Sequence, residues 1–162
     1  MVDPKPNPFV FDVSEQSFYP QVVERSFNVP VLVDFWAGWC GPCKTLTPVL
    51  ESLAQRMNGR FVLAKVDADK STRLMQQLGV QSLPTIKAFQ DGKVVDGFTG
   101  AIPEQALIQF IDKVAPSLTD KLLEKIGNGR SLHSFRRTLA LYSEIRIQGT
   151  KRGKRAKDAC RD

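Results

Sequence analysis

The apolar residues of the chain fall into two rhythms. Pro30-Val31-Leu32-Val33-Asp34-Phe35-Trp36 is a nearly continuous apolar run, broken only by Asp34. Such runs belong to strands covered on both faces, which predicts a central strand with helices on either side. Further on, Leu46, Val49, Leu50, Leu53 and Met57 recur at spacings of three, one, three and four. That is helical periodicity over Cys43 to Met57, with a kink expected at Pro48. Phe9-Val10-Phe11-Asp12-Val13 has strand composition. Ser14 is an N-cap candidate for a helix to about Arg25, within which Pro20 is placed to kink or break it.

Residues 61–67 alternate back to strand, and 71–78 read as a short helix ending at Gly79. The runs 85–89 and 94–98 flank Asp91-Gly92, a strong hairpin signal. Residues 102–114 read as an amphipathic helix with Pro103 in its first turn. The predicted order is β-α-β-α-β-α-β-β-α. Strands that alternate with helices and close on a hairpin imply an α/β fold, one mixed sheet between helices.

After Ala115-Pro116 the pattern changes. Ser117 or Thr119 is placed to cap a short helix carrying Leu122, Leu123 and Ile126, stopped by Gly127-Asn128-Gly129. A second helix starting at Ser131 would align Leu132, Phe135, Leu139 and Tyr142. From Gly149 onward no apolar pattern remains, and disorder is expected. The expected divisions are therefore an arm over 1–8, a domain over 9–115, a helical extension over 116–148 and a basic tail over 149–162.

Charge follows the same boundary. Residues 1–115 hold 11 Lys and Arg against 12 Asp and Glu, and residues 116–162 hold 12 against 5. The net charge of +6 thus belongs to the last 47 residues, and the first part is nearly neutral. Lys151-Arg152-Gly153-Lys154-Arg155-Ala156-Lys157 lacks aromatic residues for base stacking, so a solvated tail is expected over a nucleic-acid contact. No apolar run reaches the ~18 residues of a membrane span, and no membrane role is expected. The opening residues show no apolar signal core, which makes the cytoplasm the expected compartment.

The chemistry centres on Trp39-Cys40-Gly41-Pro42-Cys43-Lys44, directly after the buried strand and at the start of a helix. Attack on a disulfide requires a thiolate, and a helix N-terminus stabilises one through its unpaired N–H groups and dipole. Cys40, at the mouth of the turn, is the candidate nucleophile. Cys43 lies about one turn on, where it can resolve a mixed disulfide. Pro42 suits the first turn, where its missing N–H costs little. A C-x-x-C is also half of a zinc site, but only Cys160 and His133 remain to complete four ligands, both in the tail. No metal is expected, and C-x-x-C beside a βαβ pattern points to redox chemistry. Asp34 is an acid inside an apolar strand; burial there would raise its pKa and suit it to exchange a proton with Cys43, through water. Pro84 follows Leu83 in a non-strand interruption between a helix and a strand. Trp36 is expected to pack beneath the site. His133 and Cys160 are expected to be surface residues.

The segment from Val33 to Cys43 resembles the active-site segment of the thioredoxin family. Leu83-Pro84-Thr85 resembles that family's cis-proline loop, and Gly92 and Gly100 fall where the family has glycines. The likeness extends over about residues 9–115. It implies a thioredoxin fold with a C-terminal helical extension, and a protein thiol–disulfide oxidoreductase whose only redox group is the Cys40–Cys43 pair. It implies a catalytic set of Cys40, Cys43, Asp34 and Lys65, the last paired with Asp34. The turn would be Trp39, Gly41 and Pro42, and the client groove Trp39, Leu83, Pro84, Gly100 and Ala101. Gly38 departs from the pattern, since many thioredoxins carry a charged or polar residue there. Partners implied are disulfide-bearing client proteins, with thioredoxin reductase or glutathione as electron donor.

Three stretches resemble one branch of that family, the chaperedoxins: Val22–Ser26, Gln81–Phe89 and Asp91–Phe98. Those proteins join a thioredoxin domain to a tetratricopeptide-type region and protect clients as holdases. The alternative function is therefore a co-chaperone, with a chaperonin as a further partner and redox activity secondary. The 47 residues after Ala115 are too few for three 34-residue repeats, so the tail does not complete that architecture.

Overall fold

The apolar run around Leu32 becomes the middle strand of a five-stranded sheet. In this computed structural model, residues 7–117 and 119–120 are described. The strands are β1 (Val10–Val13), β2 (Val31–Trp36), β3 (Val62–Asp67), β4 (Thr85–Gln90) and β5 (Lys93–Thr99), in the order β1-β3-β2-β4-β5. β1 and β2 pair in parallel with β3, β4 runs antiparallel to β2, and β5 antiparallel to β4. Among the described residues the α-helices are α1 (Gly41–Arg56), α2 (Thr72–Gln77) and α3 (Glu104–Val114).

The alternation of side chains along β2 sorts the core into two layers. Leu32 joins Leu46, Leu50, Leu53, Leu63, Leu107 and Ile111 in the layer formed with α1 and α3. Val31, Val33 and Phe35 join Val22, Val66 and Leu74 in the opposite layer. Asp34 has the parity of Leu32 and therefore faces α1. One strand thus supplies both cores and presents one acid to one helix. Truncating a fully buried leucine such as Leu32 to alanine would cost about 2–5 kcal/mol.

The helix expected from Ser14 to Arg25 forms differently. Its place is taken by a π-helical turn over Tyr19–Glu24 and a 3₁₀ turn over Arg25–Phe27. Proline lacks an N–H and clashes with the carbonyl four residues earlier, and Pro20 accordingly sits in the first turn of the π-helical element, where its missing donor costs least, whereas α1 carries Pro48 in its interior. Ser14 and Ser17 bond each other reciprocally in the turn before the π-helical element, the Ser14 Oγ accepting from the Ser17 N–H at 3.3 Å and the Ser17 Oγ from the Ser14 N–H at 3.1 Å. Pro103, expected inside the first turn of α3, lies one residue before it as N-cap. The Asp91-Gly92 hairpin forms as expected, with both residues at positive φ (51° and 76°), as a type I′ turn requires. Ser26 clamps it by accepting from the Gly92 N–H at 2.8 Å, while the Phe27 ring lies against Gly92.

Ser71 makes no side-chain cap at the start of α2. Glu15 takes that role, its Oε1 accepting from the N–H groups of Arg73 (2.9 Å) and Leu74 (3.2 Å). At the other end of the domain, the Arg60 guanidinium donates to the Ala115 carbonyl at 2.6 Å. Asn7, expected in a free arm, is fixed by its amide to the Glu51 carbonyl at 3.1 Å. The chain divides into two units between Ser117 and Leu118. The remaining expectations for the arm (residues 1–6), the helical extension, the basic tail, His133 and Cys160 lie outside the described residues. Among the described residues, no helix is long and apolar enough to cross a membrane.

Candidate active site

β2 delivers its chain end to the start of α1, and Cys40 is the N-cap of that helix. Its extended backbone (φ −77°, ψ 102°) turns the sulfur towards the first-turn amides. Cys40 Sγ accepts from the Cys43 N–H at 3.2 Å. A side chain that accepts this bond satisfies one of the helix's orphan donors, and a negative sulfur would satisfy it better. Gly41 and Pro42 fill the first helical positions, where the proline removes no needed donor. Cys40 and Cys43 are joined as a disulfide, and both residues are buried.

Behind the cysteines lies the acid. Asp34 is completely buried. Its pKa is raised from 3.8 to about 6, chiefly by burial, with a bond from Thr47 and the charge of Lys65 opposing and the charge of Glu51 assisting. The Thr47 hydroxyl donates to Asp34 Oδ2 at 2.6 Å. Lys65 is the register neighbour of Asp34 on β3, but its ion pairs differ from the expected one. Its ammonium lies 3.0 Å from Glu51 and 3.5 Å from Asp12, so it reaches Asp34 through its field and not by a direct bridge. Burial lowers the Lys65 pKa, yet its bonds and the charges of Glu51 and Asp12 outweigh that and raise it, so the ammonium stays charged.

A cavity of about 290 Å³ opens beside this group. Its walls include Trp36, Gly38, Cys43, Thr47, Glu51 and Lys65. Its lining is mostly apolar, but Thr47, Glu51 and Lys65 supply polar partners, and the volume is large enough to admit water. A Cβ on Gly38 would meet nothing within 4 Å, so its glycine is not demanded by packing there. Among the described residues, three buried side-chain polar atoms have no hydrogen-bond partner: Gln21 Oε1, Asp34 Oδ1 and Trp36 Nε1. Two of them belong to this site.

In front of the cysteines the surfaces are mostly backbone and apolar. The Leu83-Pro84 bond is cis. Leu83 packs on the cluster of Ala37, Cys40, Cys43 and Ala68, together with Trp36 and Met75. The Gly100 N–H donates to the Pro84 carbonyl at 2.8 Å, and Thr85 donates to the Ser82 carbonyl at 2.7 Å, which ties the loop at both ends. Trp39 and Ala101 are exposed, and the Trp39 indole N–H is held by Asp69 at 3.0 Å. Among the described residues, no group of acids, histidines and cysteines is arranged to hold a metal.

Thr47, Glu51, Asp69 and Met75 are the site neighbours that the sequence reading passed over. Cys43, Thr47 and Glu51 recur every four residues on one face of α1, so a polar stripe does carry a signal. It is visible only when polar spacing is followed as closely as apolar spacing. Asp69 and Met75 carry no comparable local mark.

A dithiol pair at a helix start, backed by a buried acid and faced by a cis-proline loop, defines a thiol–disulfide exchange protein. Residues 9–113 match the model of the thioredoxin family. Thioredoxin 1 of Nostoc sp. is 40% identical over 101 residues, covering 62% of this chain and 92% of that protein. Thioredoxin 1 of Synechococcus elongatus is 41% identical over 101 residues, with the same coverage. The bifunctional thioredoxin reductase/thioredoxin of Mycobacterium leprae is 40% identical over 118 residues, which is 73% of this chain and 25% of that protein. The chain belongs to the thioredoxin family, as a protein-disulfide reductase whose redox group is its own Cys40–Cys43 pair and which needs no cofactor.

Proposed function

We propose that Cys40 attacks and Cys43 resolves in the reduction of client-protein disulfides, with Asp34 moving the proton. The Cys40 thiolate attacks one sulfur of the client disulfide. The Cys40–client bond forms as the client S–S bond breaks, and one client thiolate leaves. The charged Asp34 carboxylate then takes the Cys43 thiol proton. The Cys43 thiolate attacks Cys40, forming the internal disulfide and releasing the second client thiolate. Two electrons pass from the dithiol to the client, whose two thiolates take up protons. Lys65 acts on this step through its field at Asp34. Trp39, Leu83, Pro84, Gly100 and Ala101 receive the client segment in front.

The observation that carries this reading is the buried, partner-poor Asp34 behind a disulfide at a helix N-cap. Replacement Cys43→Ser is expected to trap a mixed disulfide through Cys40, visible as a mass adduct with a disulfide-bearing client. Absence of that adduct, with the adduct appearing instead in Cys40→Ser, would reverse the two roles.

The electron donor in this reading is thioredoxin reductase, with glutathione as the alternative, and the compartment is the cytoplasm. The Mycobacterium leprae relative carries both names in one protein, which supports the first donor. A second reading makes the chain a chaperedoxin-like holdase that delivers clients to a chaperonin. Its support is the likeness in Gln81–Phe89 and Asp91–Phe98 together with the basic last 47 residues. Suppression of client aggregation in light scattering, surviving loss of both active-site cysteines, is its expected mark. No suppression by the intact chain overturns it.

A further inference from the structure

Threonine inside a helix turns its hydroxyl either out to solvent or back to the carbonyl four residues earlier. Thr47 instead sends its hydroxyl across to β2, 2.6 Å from Asp34 Oδ2. The same residue lines the cavity beside Cys43, whereas Asp34 is wholly buried behind it. The carboxylate is therefore asymmetric: Oδ2 has a donor and Oδ1 has none. While the hydroxyl donates to Oδ2, an incoming proton is best accommodated on Oδ1.

We propose that Thr47 is a positioning residue for the buried acid, fixing its orientation through Oδ2, leaving Oδ1 to carry the exchangeable proton, and setting the pH range in which the acid works. This inference rests on the role given to Asp34 above. A hydrogen bond donated to a carboxylate favours its charged form, which is the form that accepts the Cys43 proton. The other groups facing Asp34 are fixed by the fold. Lys65 on β3 favours the charged form, Glu51 on α1 opposes it, and Asp12 on β1 shares the Lys65 ammonium. On β4, the register neighbour of Asp34 is the uncharged Ile86. Cys43 and Lys44 on α1 share the cavity with Thr47. Thr47 is the neutral donor within this charged set, so removing its hydroxyl changes the acid without changing any charge.

The test follows the Asp34 carboxyl carbon by NMR titration of the oxidised full-length chain. Thr47→Val keeps the side-chain volume and deletes the hydroxyl. Its Asp34 midpoint is expected to rise by about one pH unit, the order expected for a lost bond to a charged group. Thr47→Ser restores the hydroxyl and is expected to return the midpoint to the wild-type value. Should Thr47→Val not fold, Thr47→Ala asks the same question with a smaller side chain. An unchanged midpoint in a folded variant overturns the inference, as does a midpoint that Thr47→Ser leaves displaced. The role of Asp34 is judged separately, by insulin reduction with Asp34→Asn. A wild-type rate there overturns that role, and the Thr47 titration still reports whether the bond sets the acid.

Discussion

The two sides of the Cys40–Cys43 pair are built from different materials. In front, Leu83, the cis bond to Pro84 and the Gly100 amide present backbone and apolar surface. Behind, Thr47, Glu51 and Lys65 bring hydrogen bonds and charge to the wall of a cavity, and Asp34 lies buried against Thr47. Under the proposed function, this division would suit a reductase of varied clients. Backbone and apolar contacts accept many sequences, while proton transfer requires one acid in one environment. The front should govern how well a client binds, and the back should govern how the rate depends on pH.

The largest effect expected is from Cys40→Ser, which removes the atom both sides serve and should drop insulin reduction to background in a turbidity assay. Next is Asp34→Asn. Its rate at pH 7 should fall roughly 100-fold, with loss of the rise in rate expected of the wild type through about pH 6 as Asp34 ionises. The same change should stabilise the fold at neutral pH. Below pH 3.8 Asp34 is protonated whether folded or not, and its burial carries no charge penalty. Between 3.8 and about 6 only the unfolded chain has lost the proton, so wild-type stability declines across that window. The full loss is about 3 kcal/mol. Urea titrations should therefore show Asp34→Asn ahead by about that amount at pH 7 relative to its standing at pH 3.

A smaller effect tests the front. Trp39→Ala should raise KM for a protein client roughly fivefold, about 1 kcal/mol, and leave the pH profile in place. A displaced pH profile in that variant would join the two sides and break the comparison. The smallest expected effect belongs to neither side. Arg56→Ala removes an exposed pair with Glu104 (2.7 Å) and should alter stability by less than about 1 kcal/mol, without kinetic change.

Much of this division was legible in the sequence, for reasons that differ by residue. The β2 run, the Asp91-Gly92 turn and the α1 period are local signals, and each formed where its spacing placed it. The helix from Ser14 changed for a local reason as well: Ser14 does accept from the Ser17 N–H, but the helical element starts only at Tyr19, with Pro20 in its first turn. Asp34 stood out as a lone acid in an apolar strand. Thr47 did not, since its meaning depends on which face of α1 meets β2. The partners of Lys65 were hidden for the same reason: Glu51 and Asp12 come from a helix and an edge strand far apart in the chain. Register placed Lys65 beside Asp34, and the long flexible side chain then went to the more accessible carboxylates.

Glu15 carries a consequence for how the domain breathes. A helix of six residues cannot sustain itself in water, and α2 borrows its N-terminal cap from a carboxylate 58 and 59 positions earlier. Release of the segment around Ser14–Ser17 therefore uncaps α2, and with it Met75, which packs on the cysteine cluster. In hydrogen exchange the amides of Arg73 and Leu74 should open together with that segment as one cooperative unit, ahead of β2 and β3. The stretch before the central strand thus acts as a strut, and its local unfolding would reach the wall of the redox centre without disturbing the sheet.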